Sequence, residues 1–449
     1  MSNEATLSHF NTNLTIWLRR LGILFLLLCP LGLMLGIATT DITMSGVALW
    51  FVLYSFCTKD FSWCRERWVQ CCAVLWIWFI ISSFFAVEPH VSLSQSLPFF
   101  RFFVFAAALQ YWLLVDKKIR RYLVVAIAVT ITIAALDTLL QFIIGVDILG
   151  HSIHRGASWH HFVYPWVGGY HRLTGLSDKA KIGGEIMMLA PPALVFLIMK
   201  VQNKSLSYLK RVSFALLTFL IIFCVPLTGE RTSTILTLFS CGLLFLLIPQ
   251  TQKTLLALFL SVIISFLVAS TFTEGLQQRV VGKTISPHSE YKGLVITSWN
   301  LFKIHPITGI GLRQFNHVCQ THESSIWGIA PHTRCEGITS PQNTYLELLT
   351  CTGSIGLLLF LLLLSIWIKS IYTHWSLFKK TKLLSDDSDF VVTNHFINPV
   401  MLGVLVAFIQ RAWPIQVSTS FFFSWGGMSF WMMIGWLLGY IRSCKFDEK

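Results

Sequence analysis

The chain is divided into long, almost uncharged apolar runs, and no other feature restricts its fold so strongly. The runs lie near 21–38, 42–57, 68–85, 97–115, 122–146, 182–199, 212–227, 231–248, 254–270, 344–368, 397–412 and 420–441. A helix of about 20 such residues crosses the hydrocarbon core of a bilayer. Backbone in hydrocarbon must satisfy its own hydrogen bonds, which leaves helices or closed barrels, and runs of this length are not barrel strands. The expectation is an all-α polytopic membrane protein with about twelve transmembrane helices. Only 12% of the 449 residues are charged, against roughly a quarter in soluble domains, which excludes a soluble single domain. The first run follows Arg19 and Arg20 and continues as LGILFLLLCPLGLMLGIA without a small-x-small cleavage site. It therefore reads as a span rather than a cleaved leader.

A net charge of +13 would suggest nucleic acid as a partner for a soluble chain. Here it has another explanation. With the N-terminus inside, the inner segments carry twenty-one lysines and arginines, and the short outer loops near 39–41, 86–96 and 413–419 carry none. This is the positive-inside asymmetry of an inner-membrane protein. It places both termini on the inner side and removes any need for nucleic acid. Most of the eleven cysteines lie in or beside apolar runs and behave as small hydrophobes.

Two longer segments fall outside, 147–181 and 271–343, and together they hold ten of the fourteen histidines. The second is too long for a plain connection. It reads as a partly helical subdomain inserted between spans nine and ten of a single transmembrane domain covering 1–449. The histidine spacing offers no metal motif. Cys319 and Cys335 either staple this loop as a disulfide or remain two thiols.

A few cations depart from the topology pattern. Arg231, after Glu230 in TGERTSTIL, stands at the outer end of the eighth run, where an arginine is disfavoured. It is either an ion-pair partner of Glu230 or a fork that binds an anion, since its planar donors match phosphate oxygens in pairs. Arg101 and Arg411 pose the same question of pairing, snorkelling or headgroup binding. The long outer loop adds Arg279, Lys283, Lys292, Lys303, Arg313 and Arg334 against four glutamates, and basic groups beside an outer mouth favour an anionic substrate. In HPITGIGLRQF, Gly309 and Gly311 permit tight turns or close backbone approach, which could aim Arg313 inward. The segment is neither a Rossmann nor a P-loop fingerprint.

Four segments together resemble the family of O-antigen ligases and Wzy-type polysaccharide polymerases. They are HRLTGLSDKAKIGGEIMMLAPP with Arg172, Gly175 and Gly183; TGERTSTIL with Arg231; YKGLVITSWNLFKIHPITGIGLRQF; and PQNTYLELLTCTGSIG with Asn343, Gly353 and Gly356. The resemblance implies an enzyme of the bacterial inner membrane whose active site faces the periplasm. It implies an undecaprenyl-diphosphate-linked glycan as donor, lipid A core or a growing glycan as acceptor, and arginines that grip the diphosphate without metal or other cofactor. Carried onto this chain, the diphosphate-binding residues are Arg231, Lys292, Arg313 and Arg172. Lys292 stands where the family has an arginine, so the charge is kept and the bidentate fork is lost.

The family's proposed base is a histidine followed by a polar residue, nine residues and Gly-x-x-Gly. That frame is present as Asn343 and Gly353–Gly356, but the histidine position is Gln342, which hydrogen-bonds a hydroxyl and cannot take its proton. Arg231, Arg313, Gln342 and Asn343 are the candidate catalytic residues. Glu347, His332 and His317 are candidate replacement bases, although Glu347 reads first as a structural acceptor for a buried arginine. Attack on the anomeric carbon from the face opposite the leaving diphosphate implies inversion. The nine-residue spacing inclines the reading toward a ligase, and the missing histidine toward a polymerase or a divergent ligase; a ligase onto lipid A core is the main reading and a Wzy-type polymerase the alternative. A lipid-linked sugar transporter or flippase is the distant alternative; such carriers often show paired halves, and no internal repeat is visible.

Overall fold

A computed structural model describes residues 2–151, 173–177, 181–272, 290–321, 340–375, 399–414 and 420–447. Among these there is no β-strand, and the described residues of each of the twelve apolar runs are largely helical. The helices are α1 (Ser2–Leu35), α2 (Ile37–Thr58), α3 (Arg67–Ser83), α4 (Pro89–Ser96), α5 (Phe100–Ala108), α6 (Lys117–Ile144), α7 (Ile182–Gln202) and α8 (Tyr208–Leu227). They continue as α9 (Arg231–Leu247), α10 (Gln252–Phe272), α11 (Glu290–Ile304), α12 (Phe315–Thr321), α13 (Thr344–Thr373), α14 (Pro399–Ala412) and α15 (Ser424–Asp447). The protein is an all-α, multi-pass membrane protein.

Length and composition alone do not reach twelve spans. Among the described residues, seven helices are long and apolar enough to cross a membrane, or eight if α9 and α10, bent by 118° at their junction, form one broken span. The break falls at Pro249, whose ring and missing N–H interrupt a helix. The helices α3 and α14 are apolar but shorter. The last helix, α15, is long but rich in Trp, Gly and Ser, and its residues from Trp425 to Ile441 are almost all buried. A helix surrounded by protein needs no lipid-facing apolar surface, so its span cannot be counted from hydropathy.

Between helices in lipid, association rests on close packing rather than on expulsion of water. The helix α15 packs against α5, α2 and α14, and α7 packs against α14, α8 and α6. Small residues bring backbones together at these crossings. A Cβ at Gly435 would meet the Ala106 backbone at 3.0 Å, and one at Gly403 would meet the Pro191 carbonyl at 2.7 Å. Trp367, Phe408, Phe430 and Trp431 fill the space around α15 with edge-to-face and tilted rings. Leu358, Leu362 and Ile368 on α13 are exposed on the outside of the bundle, where lipid tails lie.

The segment 271–343 contains α11 and α12. Leu294, Leu301, Ile310, Phe315, Val318 and Cys319 form a hydrophobic cluster separate from the main core. Cys319 is disulfide-bonded, while Cys335 lies outside the described residues. The segment near 86–96, which reads as a plain loop in the sequence, contains the helix α4.

Arg101 forms an ion pair with Asp41 at 2.8 Å and donates to Ser424 Oγ at 3.2 Å. Arg411 is buried and donates to the Gly426 carbonyl at 2.9 Å. Both arginines therefore tie the N-terminal end of α15 to its neighbours.

Candidate functional site

The site is built around an interruption in α13. Asn343 caps the helix, its side-chain oxygen accepting from the N–H groups of Tyr345 at 3.0 Å and Leu346 at 3.1 Å. Three turns later the helix breaks at Gly353, with φ 71° and ψ −172°, a conformation open almost only to glycine. The break frees carbonyls that a continuous helix would use internally. Ile310 N–H donates to the Thr350 carbonyl at 2.9 Å, Gly311 N–H to Cys351 at 3.0 Å, and Ser354 N–H to Pro306 at 2.9 Å. The HPITGIG segment is thus inserted, strand-like, into the gap, and Gly309 lies directly on the Cys351 backbone.

The inserted loop is held from its other side by α4 and the end of α3. Leu312 N–H donates to Ser92 Oγ at 2.9 Å, and Ser92 Oγ donates to Ser83 Oγ at 2.8 Å. Gln314 Nε2 donates to the Glu88 carbonyl at 3.3 Å. Arg313 sits between these anchors in the left-handed region, with φ 63°. Among the described residues only three non-glycine residues have positive φ, and two of them, Arg313 and Gln342, are residues singled out from the sequence. Such conformations persist only where the surroundings impose them, and they concentrate at functional sites.

Arg313 lines a small cavity together with Glu347, Gln95, Ser420, Phe422, Phe423 and Cys351. Glu347, on the first turns of α13, is buried. Ser420 Oγ donates to Glu347 Oε1, and Phe421 N–H donates to Glu347 Oε2 at 2.8 Å. Gln95 Nε2 donates to the Phe422 carbonyl at 2.6 Å. The cavity therefore holds one cation, one carboxylate, one hydroxyl and one amide beside two phenyl rings. Its members come from α4, the 305–314 loop, α13 and the segment before α15.

The remaining sequence-selected residues are distributed as follows. Gln342 precedes the cap, its N–H donating to Ser340 Oγ at 3.4 Å, and it is not among the residues lining the cavity. Asn343 uses its oxygen for the cap and its Nδ2 for the Pro414 carbonyl at 2.8 Å. His317 is exposed on α12. Arg231 is the first residue of α9 and Lys292 lies in the first turn of α11; their side chains lie outside the described residues, as do Arg172 and His332 altogether. Glu347 binds a serine and a backbone amide here, in place of the buried arginine considered from the sequence.

The segments around Arg172 and Arg231 also meet. Leu173 N–H donates to the Thr228 carbonyl at 3.3 Å, and Gly184 N–H donates to Glu230 Oε2 at 3.1 Å. The side-chain oxygen of Gln141 on α6 receives the N–H groups of Thr174 at 2.9 Å and Gly175 at 3.0 Å. The first two motifs thus form one assembly and the last two another. Gln95, Ser92 and Ser420 had no sequence signal, because they are uncharged residues in short segments. Lys181, whose Nζ stands 5.4 Å from the centroid of the Trp425 ring, also went unnoticed. Among the described residues, no group of three or more His, Cys, Asp or Glu is placed to hold a metal ion.

Residues 216–361, about a third of the chain, match the Wzy_C family model, O-antigen ligase. The match runs from within α8 into α13 and includes three of the four motif segments. The Arg172 segment and Ser420 lie beyond it, so the contacts of Leu173 with Thr228 and of Glu347 with Ser420 join the matched stretch to the rest of the chain. No curated protein matches the chain.

Proposed function

We propose that this chain is a glycosyltransferase of the bacterial inner membrane that moves a glycan from an undecaprenyl-diphosphate carrier onto an acceptor at the periplasmic face. The observation that carries the reading is a small cavity lined by both Arg313, whose backbone is held at positive φ, and Glu347, within the stretch that matches the family model. A diphosphate leaving group gains negative charge as the anomeric bond breaks, and a fixed guanidinium stabilises that charge. Arg231, Lys292 and Arg172 are proposed to share the task. The acceptor hydroxyl attacks from the opposite face, with inversion, and the step needs no metal.

The acceptor we favour is a growing glycan, which makes the chain a Wzy-type polymerase rather than a ligase to lipid A core. The spacing that inclined the sequence toward a ligase joins the helix cap at Asn343 to the break at Gly353. It measures a scaffold and carries no information about the acceptor. The remaining difference is Gln342 in place of the histidine, which points away from the ligase arrangement. In this reading the twelve helical runs are spans, both termini are cytoplasmic, and 271–343 is a periplasmic subdomain of a single transmembrane domain.

The test is the glycolipid profile of a deletion strain, complemented with wild type or Arg313→Ala. Single repeats on lipid A core, unchanged by complementation with R313A, support the polymerase. Core without glycan, beside long lipid-linked polymer, assigns the ligase instead. A profile unaffected by the deletion refutes both.

A further inference from the structure

The sequence lacks the family histidine, and the cavity contains a different pair of groups capable of taking a proton. We infer that Ser420 and Glu347 form a two-member proton relay that deprotonates the acceptor hydroxyl, an inference that rests on the transfer reaction proposed above.

The argument starts from what each group already does. Glu347 is 4% exposed, and the Ser420 hydroxyl and the Phe421 N–H that donate to its carboxylate are both neutral. Neutral acceptors, such as a glutamine carbonyl or a hydroxyl, could hold that turn without placing a carboxylate in a site where its charge is costly. A carboxylate adds the capacity to take up a proton. Ser420 is oriented for passing one on. Its proton is directed to Glu347 Oε1, and its oxygen receives the Phe422 N–H at 3.3 Å. One lone pair of Ser420 Oγ remains to accept from a substrate hydroxyl in the cavity. Arg313, which lines the same cavity, supplies the positive charge that the departing diphosphate requires. Base and leaving-group stabiliser thus face one space.

The step balances as follows. The acceptor oxygen forms its bond to the anomeric carbon while the bond from that carbon to the diphosphate oxygen breaks, and the electron pair leaves with the diphosphate. The acceptor's proton passes to Ser420 Oγ as the proton of Ser420 passes to Glu347. Ser420 ends neutral, and Glu347 ends protonated until it returns the proton to the departing diphosphate or to water. Among the described residues lining the cavity, the other titratable groups are Arg313 from the loop and Cys351 from the next turn of α13. Gln95 and the two phenylalanines do not titrate.

The experiment uses the full-length protein in lipid nanodiscs, with the undecaprenyl-diphosphate-linked repeat unit as both donor and acceptor. Rates are followed across pH in H2O and D2O. Glu347→Gln is expected to lower kcat about a hundredfold or more, as loss of a positioned base does, with little change in KM. It is also expected to abolish the wild-type fall in rate at low pH. Ser420→Ala is expected to lower kcat less and to reduce the solvent isotope effect, because one of two moving protons is removed. Glu347→Asp is expected to restore part of the rate and the acidic limb.

Retention of kcat within threefold in E347Q overturns the relay. So does an E347Q enzyme with reduced rate but an unchanged pH profile and isotope effect, because a purely structural carboxylate leaves both as they were. If E347Q does not fold, an unaltered isotope effect in S420A overturns the relay by itself. Wild type that transfers no glycan refutes the underlying reaction, and that result is distinct from any defect confined to the variants.

Discussion

Gly353→Ala is the sharpest perturbation the structure offers, because the glycine has two separate reasons to be there. Its φ and ψ lie in a region where a side chain costs about 1–3 kcal/mol. A Cβ would also overlap the Ile307 carbonyl, so the inserted loop would have to withdraw. Withdrawal breaks the bonds from Ile310 to Thr350, Gly311 to Cys351 and Ser354 to Pro306, each worth roughly 0.5–1.5 kcal/mol. Together these terms disfavour the docked loop by about 2.5–7.5 kcal/mol, and every 1.4 kcal/mol is about tenfold in an equilibrium. Arg313 is two residues beyond the last of those bonds and leaves its cavity with the loop.

The expected result is a loss of glycan transfer of at least a hundredfold with the protein still inserted, because Leu312 is the only residue of the 305–314 loop that belongs to the main core. The assay is glycan ladder length in a complemented deletion strain, beside membrane protein level and the transfer rate in nanodiscs. Gly242→Ala is the control. It sits in α9 with nothing within 4 Å of a new Cβ, and an alanine there stabilises a helix interior by up to about 1 kcal/mol. Normal transfer by G353A would refute the claim that the inserted loop delivers Arg313.

Other substitutions probe the parts separately. Ser92→Ala removes the acceptor for Leu312 N–H and is expected to lower transfer about tenfold at near-normal protein level, the equivalent of a weakened loop anchor of about 1–2 kcal/mol. Arg313→Lys keeps the charge and loses the fork; it is expected to retain measurable transfer where Arg313→Ala has none, read from glycan ladders. Asn343→Ala loses the helix cap and the bond to Pro414 and is expected to lower stability by about 2 kcal/mol, measured as a fall in Tm in detergent. Cys319→Ser removes a disulfide from a buried position and is expected to cost about 2–4 kcal/mol of local stability, seen as faster proteolysis within 290–321.

The positions of the helices were legible in the sequence because lipid imposes one requirement on every residue that faces it. Apolar runs in α1, α6 and α13 follow from that requirement alone. The special character of Gly309 and Gly311 was visible too, since paired glycines signal tight turns or close backbone approach, while Gly353 was marked only by the family resemblance. The α15 helix shows where that legibility stops. Its tryptophans and glycines answer to neighbouring helices, so its role as the central element is written in contacts and not in its own hydropathy.

The same division holds at the site. Arg313 and Glu347 could be named from the chain, since a charge beside an apolar run demands an explanation. Their meeting could not, because it depends on a backbone segment entering the break in α13 and on Ser92 holding it from α4. Ser420 and Gln95 are uncharged and lie far apart along the chain, and only packing makes them neighbours. Local chemistry thus decides which residues can belong to such a site. The pairing of distant backbones, governed by close approach and hydrogen-bond satisfaction over hundreds of residues, decides which of them do.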